Sequence, residues 1–323
     1  MSTRAAGDAL LPNGLEPAQE KCTQENGHTH AQEQECQHLH EEHSQPPLST
    51  VVENLHKQVT SFLSEPHDAS SMLYRVQNQT RISLNVIQEA LKRFSLNELS
   101  LSYNGGKDCL VMLILFLSSL HPLPTTESLS KDGKPTPPPT TIPAIYAQPH
   151  HPFRSVEEFV ASSSHDYHLS LVRYTTDPPR STLRTVFAFY LDHHPQIRAI
   201  FVGTRRTDPH GEKLTHFDHT DHGWPGFMRI HPVIDWHYAE IWAFIRHLGI
   251  EYCPLYDEGY TSLGGTNDTH PNPKLKIISN ENSNDDPIQR PSSSSYTSNG
   301  GKVRYSPAYE LMDDDEERLG RDW

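Results

Sequence analysis

Two clusters of residues combine types and spacings suited to phosphate chemistry and to holding an aromatic ligand. Residues 102 to 109 read Ser-Tyr-Asn-Gly-Gly-Lys-Asp-Cys, between the apolar Leu99-Ser100-Leu101 and the helix-like run Leu110 to Leu117. A strand that turns through paired glycines into a helix presents backbone N–H groups and a positive helix end to an anion, which makes this turn the best phosphate cradle in the chain. Its spacing excludes a Walker A loop, which needs Gly, four residues and then Gly-Lys-Ser/Thr, and a dinucleotide fingerprint, which needs three spaced glycines. An ordinary strand-to-helix turn with a glycine pair is the alternative. The second cluster runs Gly203-Thr204-Arg205-Arg206-Thr207-Asp208-Pro209, then Asp221-His222-Gly223-Trp224-Pro225, then Met228 to Trp236. Ligands of α/β sheets collect at the carboxyl ends of strands, so this loop belongs beside the first turn as a second half-site.

The elements that must position these clusters are legible in the hydrophobic pattern. Val51, Val52, Leu55, Val59, Phe62 and Leu63 follow helical spacing from Thr50, as do Ile82, Val86, Ile87, Ala90, Leu91 and Phe94, so two helices precede the glycine turn. Pro143 to Ala147, Leu169 to Tyr174 and Ala199 to Gly203 read as short buried strands, with helical patterns at Val156 to Ala161 and Thr182 to Leu191 between them. Strands alternating with helices predict an α/β fold, a doubly wound, mostly parallel, Rossmann-like sheet covered on both faces. Trp236, Ile241, Trp242, Phe244, Ile245 and Leu248 form an apolar helical stripe that belongs to the core.

Composition sets the limits around this unit. Only 34% of the 323 residues are hydrophobic, and the formal charge of −14 is concentrated at the ends: residues 1 to 49 hold eight acids against two bases, and residues 310 to 323 hold seven against two. Such a surface repels phosphate chains, so no nucleic-acid partner is expected, whereas small phosphorylated ligands need only a local positive pocket. The expected layout is a disordered acidic, His-rich tail over 1–49, a domain over 50–275, a low-complexity loop over 276–302 and a C-terminal segment over 303–323. A further mobile loop is expected from Thr125 to Thr141. Cys22, Cys36 and the histidines of the tail do not match a zinc finger or ribbon. Four scattered cysteines, no apolar run of bilayer length and no targeting pattern point to a cytoplasmic protein with no membrane partner, expected to be a monomer.

The glycine turn resembles the pyrophosphate loop of the ATP pyrophosphatase and phosphoadenylyl-sulfate reductase superfamily, an adenine nucleotide alpha hydrolase-like fold. With Arg205 to Pro209, the block from Asp221 through Trp242, Tyr256 to Gly264 and the closing Glu317-Arg318-Leu319-Gly320-Arg321, the chain resembles the fungal-type FAD synthases, that is, FMN adenylyltransferases. The resemblance covers roughly Thr50 to Leu275 plus the last twenty residues. It implies transfer of AMP from ATP to FMN, giving FAD and pyrophosphate with Mg²⁺.

The resemblance also implies roles for particular residues. Asn104, Asp108, Asp208, Arg318 and Arg321 fall on positions important for catalysis. Ser102, Tyr103, Asn104, Gly105, Gly106, Lys107, Asp108 and Tyr146 would hold ATP, with Asp108 binding Mg²⁺ directly or through water. Gly203, Thr204, Arg205, Arg206, Asp208, Asp221 and Trp224 would hold the flavin, and the tail bearing both arginines would act as a lid. Trp224 offers a large apolar face to the isoalloxazine ring or plugs a surface loop. Tyr146 faces the adenine or simply packs. The acidic run Asp313 to Glu317 reads as solvated. The reductases of this fold depend on a cysteine near the C-terminus, and no cysteine follows Cys253 here. A flavin or nucleotide sensor without catalysis is the remaining alternative.

Overall fold

In this computed structural model, residues 45–123, 128–129, 135–277, 296–298 and 301–322 are described. The proposed tail up to residue 44, with its cysteines and histidines, lies outside them. Helix α1 spans Leu48–Ser64, so the expected boundary at residue 49 falls inside its first turn. Helix α2, Met72–Arg93, starts where the Ser71 side chain accepts the Tyr74 N–H at 3.1 Å, and ends with Lys92 and Arg93 in its last turn, where cations favour the helix dipole.

Strand β1, Leu99–Ser102, leads through the glycine turn into α3, Lys107–Ser118. Every residue of α3 from Leu110 to Leu117 is buried, as an apolar sequence on all sides of a helix requires, and α1, α2 and α6 (Tyr238–His247) cover it. The chain continues as β2, Ile142–Gln148; α4, Arg154–Asp166; β3, Leu169–Thr175; α5, Leu183–His193; β4, Ala199–Phe201; β5, Phe217–His219; and β6, Met228–Ile230.

The main sheet has the order β3-β2-β1-β4-β6-β5, parallel throughout except for the antiparallel β5–β6 hairpin. That hairpin is an addition to the expected alternation, formed within the stretch read above as a ligand loop. Side chains alternate across the sheet with the strand period. Leu99 and Leu101, Ala144 and Tyr146, and Ala199 and Phe201 enter the large core with α1 to α4 and α6. Ile145 and Ile200 enter a smaller core under α5 with Val186, Phe187, Tyr190 and Phe227. Both faces are covered, but unequally. From β1 the chain moves outward to β2 and β3 and then returns past β1 to β4, so the order reverses between β1 and β4. Their carboxyl ends are the topological switch point.

Two stretches expected as loops contain strands among their described residues. Ser128–Leu129 pairs with Pro135–Thr136, and Gly301–Tyr305 pairs with both Lys276–Ile277 and Tyr296–Ser298, all antiparallel. The rest of the expected 125–141 and 276–302 loops falls partly outside the described residues. Among the described residues no helix is long and apolar enough to cross a membrane.

Candidate active site

The carboxyl ends of β1 and β4 open onto a cavity of about 470 Å³. Ser102, Asn104, Gly106, Lys107 and Asp108 line it from the first turn, Gly203, Thr204 and Asp208 from the segment after β4. Trp224 and Arg318 complete the set of expected residues that border it. Two glycines permit this convergence. Gly105 has φ +73°, and a Cβ there would lie 2.8 Å from Val160 Cγ2. A Cβ on Gly203 would lie 2.8 Å from both the backbone N and the Sγ of Cys109, so only glycine lets β4 end against the start of α3.

The turn is partly self-satisfied. The Gly106 N–H donates to Asn104 Oδ1 at 2.9 Å, and the Lys107 N–H donates to the Tyr256 hydroxyl at 2.9 Å. Two of the turn's backbone N–H groups thus have protein partners rather than facing the cavity as an anion cradle.

Beneath the cavity lies a buried ion network that joins the turn to the C-terminal segment. Asp108 Oδ1 is 2.7 Å from Arg205 Nε, and Lys107 Nζ donates to Asp108 Oδ2 at 3.2 Å. Glu317, 3% exposed, takes Lys107 Nζ on one oxygen at 2.5 Å and Arg205 Nη2 on the other. Arg205 Nη1 reaches Asp314 Oδ1 at 3.2 Å, and Asp314 also accepts the Tyr238 N–H at the start of α6. Isolated, any one of these charges would be too costly to bury; together the two cations offset most of the charge of the three carboxylates. The acidic run is thus not simply solvated, and Arg205 is a buried framework cation rather than a lining residue.

These pairings set the protonation states. Burial pushes the Asp108 carboxyl up, but Arg205 and Lys107 outweigh it and hold the pKa below the usual aspartate value. Asp208 goes the other way, raised by burial and then by the charge of Asp108. Burial, followed by the Asp108 charge, pushes the Cys109 thiol up to about 12, which rules it out as a thiolate nucleophile at neutral pH.

Other expected site residues lie away from the cavity lining. Tyr103 is buried, its hydroxyl 2.8 Å from Ser163 Oγ, and Tyr146 is buried with its hydroxyl donating to Glu157 Oε1 at 2.7 Å. Tyr146 packs; it does not border the cavity. Arg206 pairs with Asp235 at 2.7 Å and donates to the Glu212 and Leu214 carbonyls. Asp221 stands exposed on the loop that carries Trp224, beside His222. Gly105 shapes the turn without lining it. The two tail arginines diverge. Arg318 borders the cavity with Nη1 3.7 Å from Asp208 Oδ1, whereas Arg321 donates to the Leu263 carbonyl at 2.9 Å and lies close to Asp268. The tail is seated: Thr269 pairs with Arg321 across a β-bridge, and the His270 N–H donates to the Gly320 carbonyl at 2.8 Å. In this structure the segment contributes to the cavity wall through Glu317 and Arg318.

The opposite end of the cavity is apolar. Leu183, Phe187, Trp224 and Phe227 line it; Phe187 and Phe227 are stacked at 5.6 Å and 8°, and Phe187 meets Trp224 at 6.0 Å. His231 also borders the cavity, buried, with neither ring nitrogen hydrogen-bonded to any of the described residues. Burial and then the charge of Arg229 bring its pKa down to about 4, so it is neutral at physiological pH. Phe187, Phe227, His231 and Glu317 were not singled out as site residues in the sequence; Phe187 shares the α5 apolar stripe with core residues, so periodicity does not separate it from them.

A family model for the phosphoadenosine phosphosulfate reductase domain matches residues 98–271, from the turn before β1 to the loop after Thr269. A probable FAD synthase of Schizosaccharomyces pombe is 36% identical over 252 residues, covering 78% of this chain and 82% of the relative. The chain belongs to the FAD synthase family. The flavin adenine dinucleotide synthase of Saccharomyces cerevisiae is 34% identical over 72% of this chain and 78% of its own. The Candida glabrata FMN adenylyltransferase, solved with FAD and inorganic pyrophosphate, superposes with a TM-score of 0.71 at 30% identity, covering 85% of this chain and 99% of that one. The same enzyme solved with FMN and the ATP analogue AMPCPP gives 0.69 at 29%, covering 86% and 98%. Glu317 and Arg318 lie beyond the span of the reductase-domain match, so the ion network ties that domain to a segment outside it.

Proposed function

We propose that this cavity transfers AMP from ATP to FMN, giving FAD and pyrophosphate. The observation that carries the reading is the pairing, in one cavity, of an amide- and cation-bordered end at the helix α3 N-terminus with an aromatic end under α5. The first suits a triphosphate and the second an isoalloxazine ring.

In the reaction a phosphate oxygen of FMN attacks the α-phosphorus of ATP, and the bond from that phosphorus to the β-bridging oxygen breaks. No general base is needed, because a phosphate monoester is mostly a dianion at pH 7, with a second pKa of about 6. The barrier is the approach of one anion to another, so positioning and neutralisation must supply the rate. Lys107 and Asp108 hold the turn against Glu317 and Arg205, which keeps Ser102 and Asn104 in place along the phosphates. Asn104 is neutral and meets the α-phosphate without repelling it. Arg318 neutralises the incoming phosphate, and Arg321 steadies the Leu263 wall beside it. Trp224 and Phe187 take the ring, with Asp221 at the rim and His231 inside as partners for its polar edge.

Mg²⁺ fits this donor set. Asp108 and Asp208 both border the cavity, and the charge of the first raises the proton affinity of the second, an arrangement that a cation arriving with ATP relieves. When bound, the ion supplies charge neutralisation on the phosphates. Since one chain furnishes both ends of the cavity, we read the enzyme as acting as a monomer, and the free thiols Cys109 and Cys253 suit a cytoplasmic setting.

The test is to incubate the purified full chain with FMN, ATP and Mg²⁺ and to separate the flavins. FAD should form and should cease with a chelator. Bound FMN with no FAD above a no-enzyme control would favour the sensor reading. Asp108→Ala should abolish turnover and, because it strips a partner from two buried cations, also lower stability.

A further inference from the structure

Away from the cavity, three side chains with metal-ligand chemistry meet where two helices end. Glu65 caps the C-terminus of α1, His67 follows two residues later, and His247 is in the last turn of α6. Glu65 Oε2 is 3.1 Å from His67 Nε2 and 2.7 Å from His247 Nε2, and the three potential ligand atoms all lie within 4.8 Å of one another. None of the three residues borders the cavity. We propose that Glu65, His67 and His247 form a binding site for a divalent transition-metal ion of the zinc class, with water as the fourth ligand.

The donor set decides the class. Two imidazole nitrogens and one carboxylate oxygen suit Zn²⁺, Co²⁺ or Ni²⁺ and are poor ligands for Mg²⁺ or Ca²⁺, which take oxygen. Tetrahedral ligands about a zinc ion stand roughly 3.3 Å apart, given metal–nitrogen distances of about 2.0 Å. The contacts at 2.7 and 3.1 Å would need to open by about 0.6 and 0.2 Å, and the two imidazole nitrogens, within 4.8 Å of each other, to settle at the same spacing. All three side chains are part-exposed, at 18% for His67, 29% for His247 and 36% for Glu65, which leaves room for water.

The surroundings favour a cation. Both α1 and α6 direct their carboxyl ends here, and helix C-termini carry partial negative charge. The frame is also set in advance. Gln77 Nε2 donates to the Phe62 carbonyl at 2.7 Å and the Glu65 carbonyl at 2.9 Å, and the Phe62 ring lies against both imidazoles, with centroids 6.4 Å and 5.2 Å away. An ion would join the α1–α2 connection to α6, segments about 180 residues apart, so its binding energy would act as folding energy.

The experiment compares the metal-stripped full chain with His67→Gln/His247→Gln, using Co²⁺ absorption as the coordination probe and Zn²⁺-dependent melting as the second readout. Without transition metal, and with Mg²⁺ supplied for the assay, the two proteins should make FAD at equal rates. With Co²⁺ the wild type should show the d–d bands of a tetrahedral ion in excess of the double variant, saturating at one ion per chain. Zn²⁺ should raise the wild-type Tm and leave that of the variant unchanged, and Glu65→Gln should weaken binding at least tenfold. Equal bands in both proteins, only the weak bands of a six-coordinate ion, or a Zn²⁺-dependent Tm rise that the variant retains would overturn the site. Because the readouts are independent of FAD formation, failure of the metal site and failure of the adenylyltransferase reading are distinguishable.

Discussion

At the phosphate end of the cavity, Lys107, Asp108, Arg205 and Glu317 are paired with one another below the surface, whereas at the ring end Phe187, Trp224 and Phe227 meet through ring faces and edges, with Trp224 38% exposed. The first arrangement is all-or-none: each charge is tolerable only because the others are present. The second is additive, each ring contributing surface and a contact of modest energy. A ligand whose phosphates are shared by all nucleotides and whose ring is particular to one cofactor calls for this division. Fixed charges hold the common part, and apolar surface selects the distinctive part.

Four substitutions or conditions break or sharpen the contrast. Glu317→Ala should act most strongly, leaving Lys107 and Arg205 with one fewer buried partner; we expect a loss of about 3 to 5 kcal/mol in urea unfolding, together with lost turnover. Arg318→Ala, at the cavity wall, should lower kcat by about 10²- to 10³-fold. Its unfolding midpoint should fall less than that of Glu317→Ala, since Arg318 is part-exposed whereas Glu317 is buried.

His231 tests the ring end through pH. Its folded pKa of about 4 lies below the ordinary 6.5, so between those values the unfolded chain binds the proton and the folded one does not. Stability is therefore full above pH 6.5 and falls as pH drops toward 4, by about 3 kcal/mol. Urea melts at pH 7 and pH 4.5 should show His231→Gln losing less than wild type. The smallest effect belongs to Trp224→Ala, for which we expect KM for FMN to rise about fivefold, the equivalent of about 1 kcal/mol, with KM for ATP unchanged. An equal rise in both constants would mean that the two ends are not separate.

Much of this site was legible in the sequence because local patterns encode it. Gly105 and Gly106 between an apolar strand and an apolar helix mark the turn, and strand-helix alternation places it at a switch point. What was not legible depended on distance. Glu317 reads as one acid among seven near the C-terminus, and only the fold brings it 2.5 Å from Lys107, 210 residues away. Arg205 reads as a ligand-facing arginine until Asp108, Asp314 and Glu317 are found around it. Tyr146 is similar: alternation puts it in the larger core, and Glu157 on α4 takes its hydroxyl. The β5–β6 hairpin escaped notice because three-residue strands show too little alternation to register.

The central claim is that AMP passes to FMN at the phosphate end while the ring end holds the flavin. It is tested most directly by following the α-phosphate of labelled ATP in the presence of FMN and Mg²⁺, in wild type and Arg318→Ala side by side. The account predicts that label enters FAD with wild-type enzyme, and that Arg318→Ala, at saturating FMN, transfers label at least a hundredfold more slowly, a deficit of the size given by removing one charge-stabilising donor. Label transfer by Arg318→Ala at the wild-type rate, or none by the wild type despite bound FMN, would contradict it.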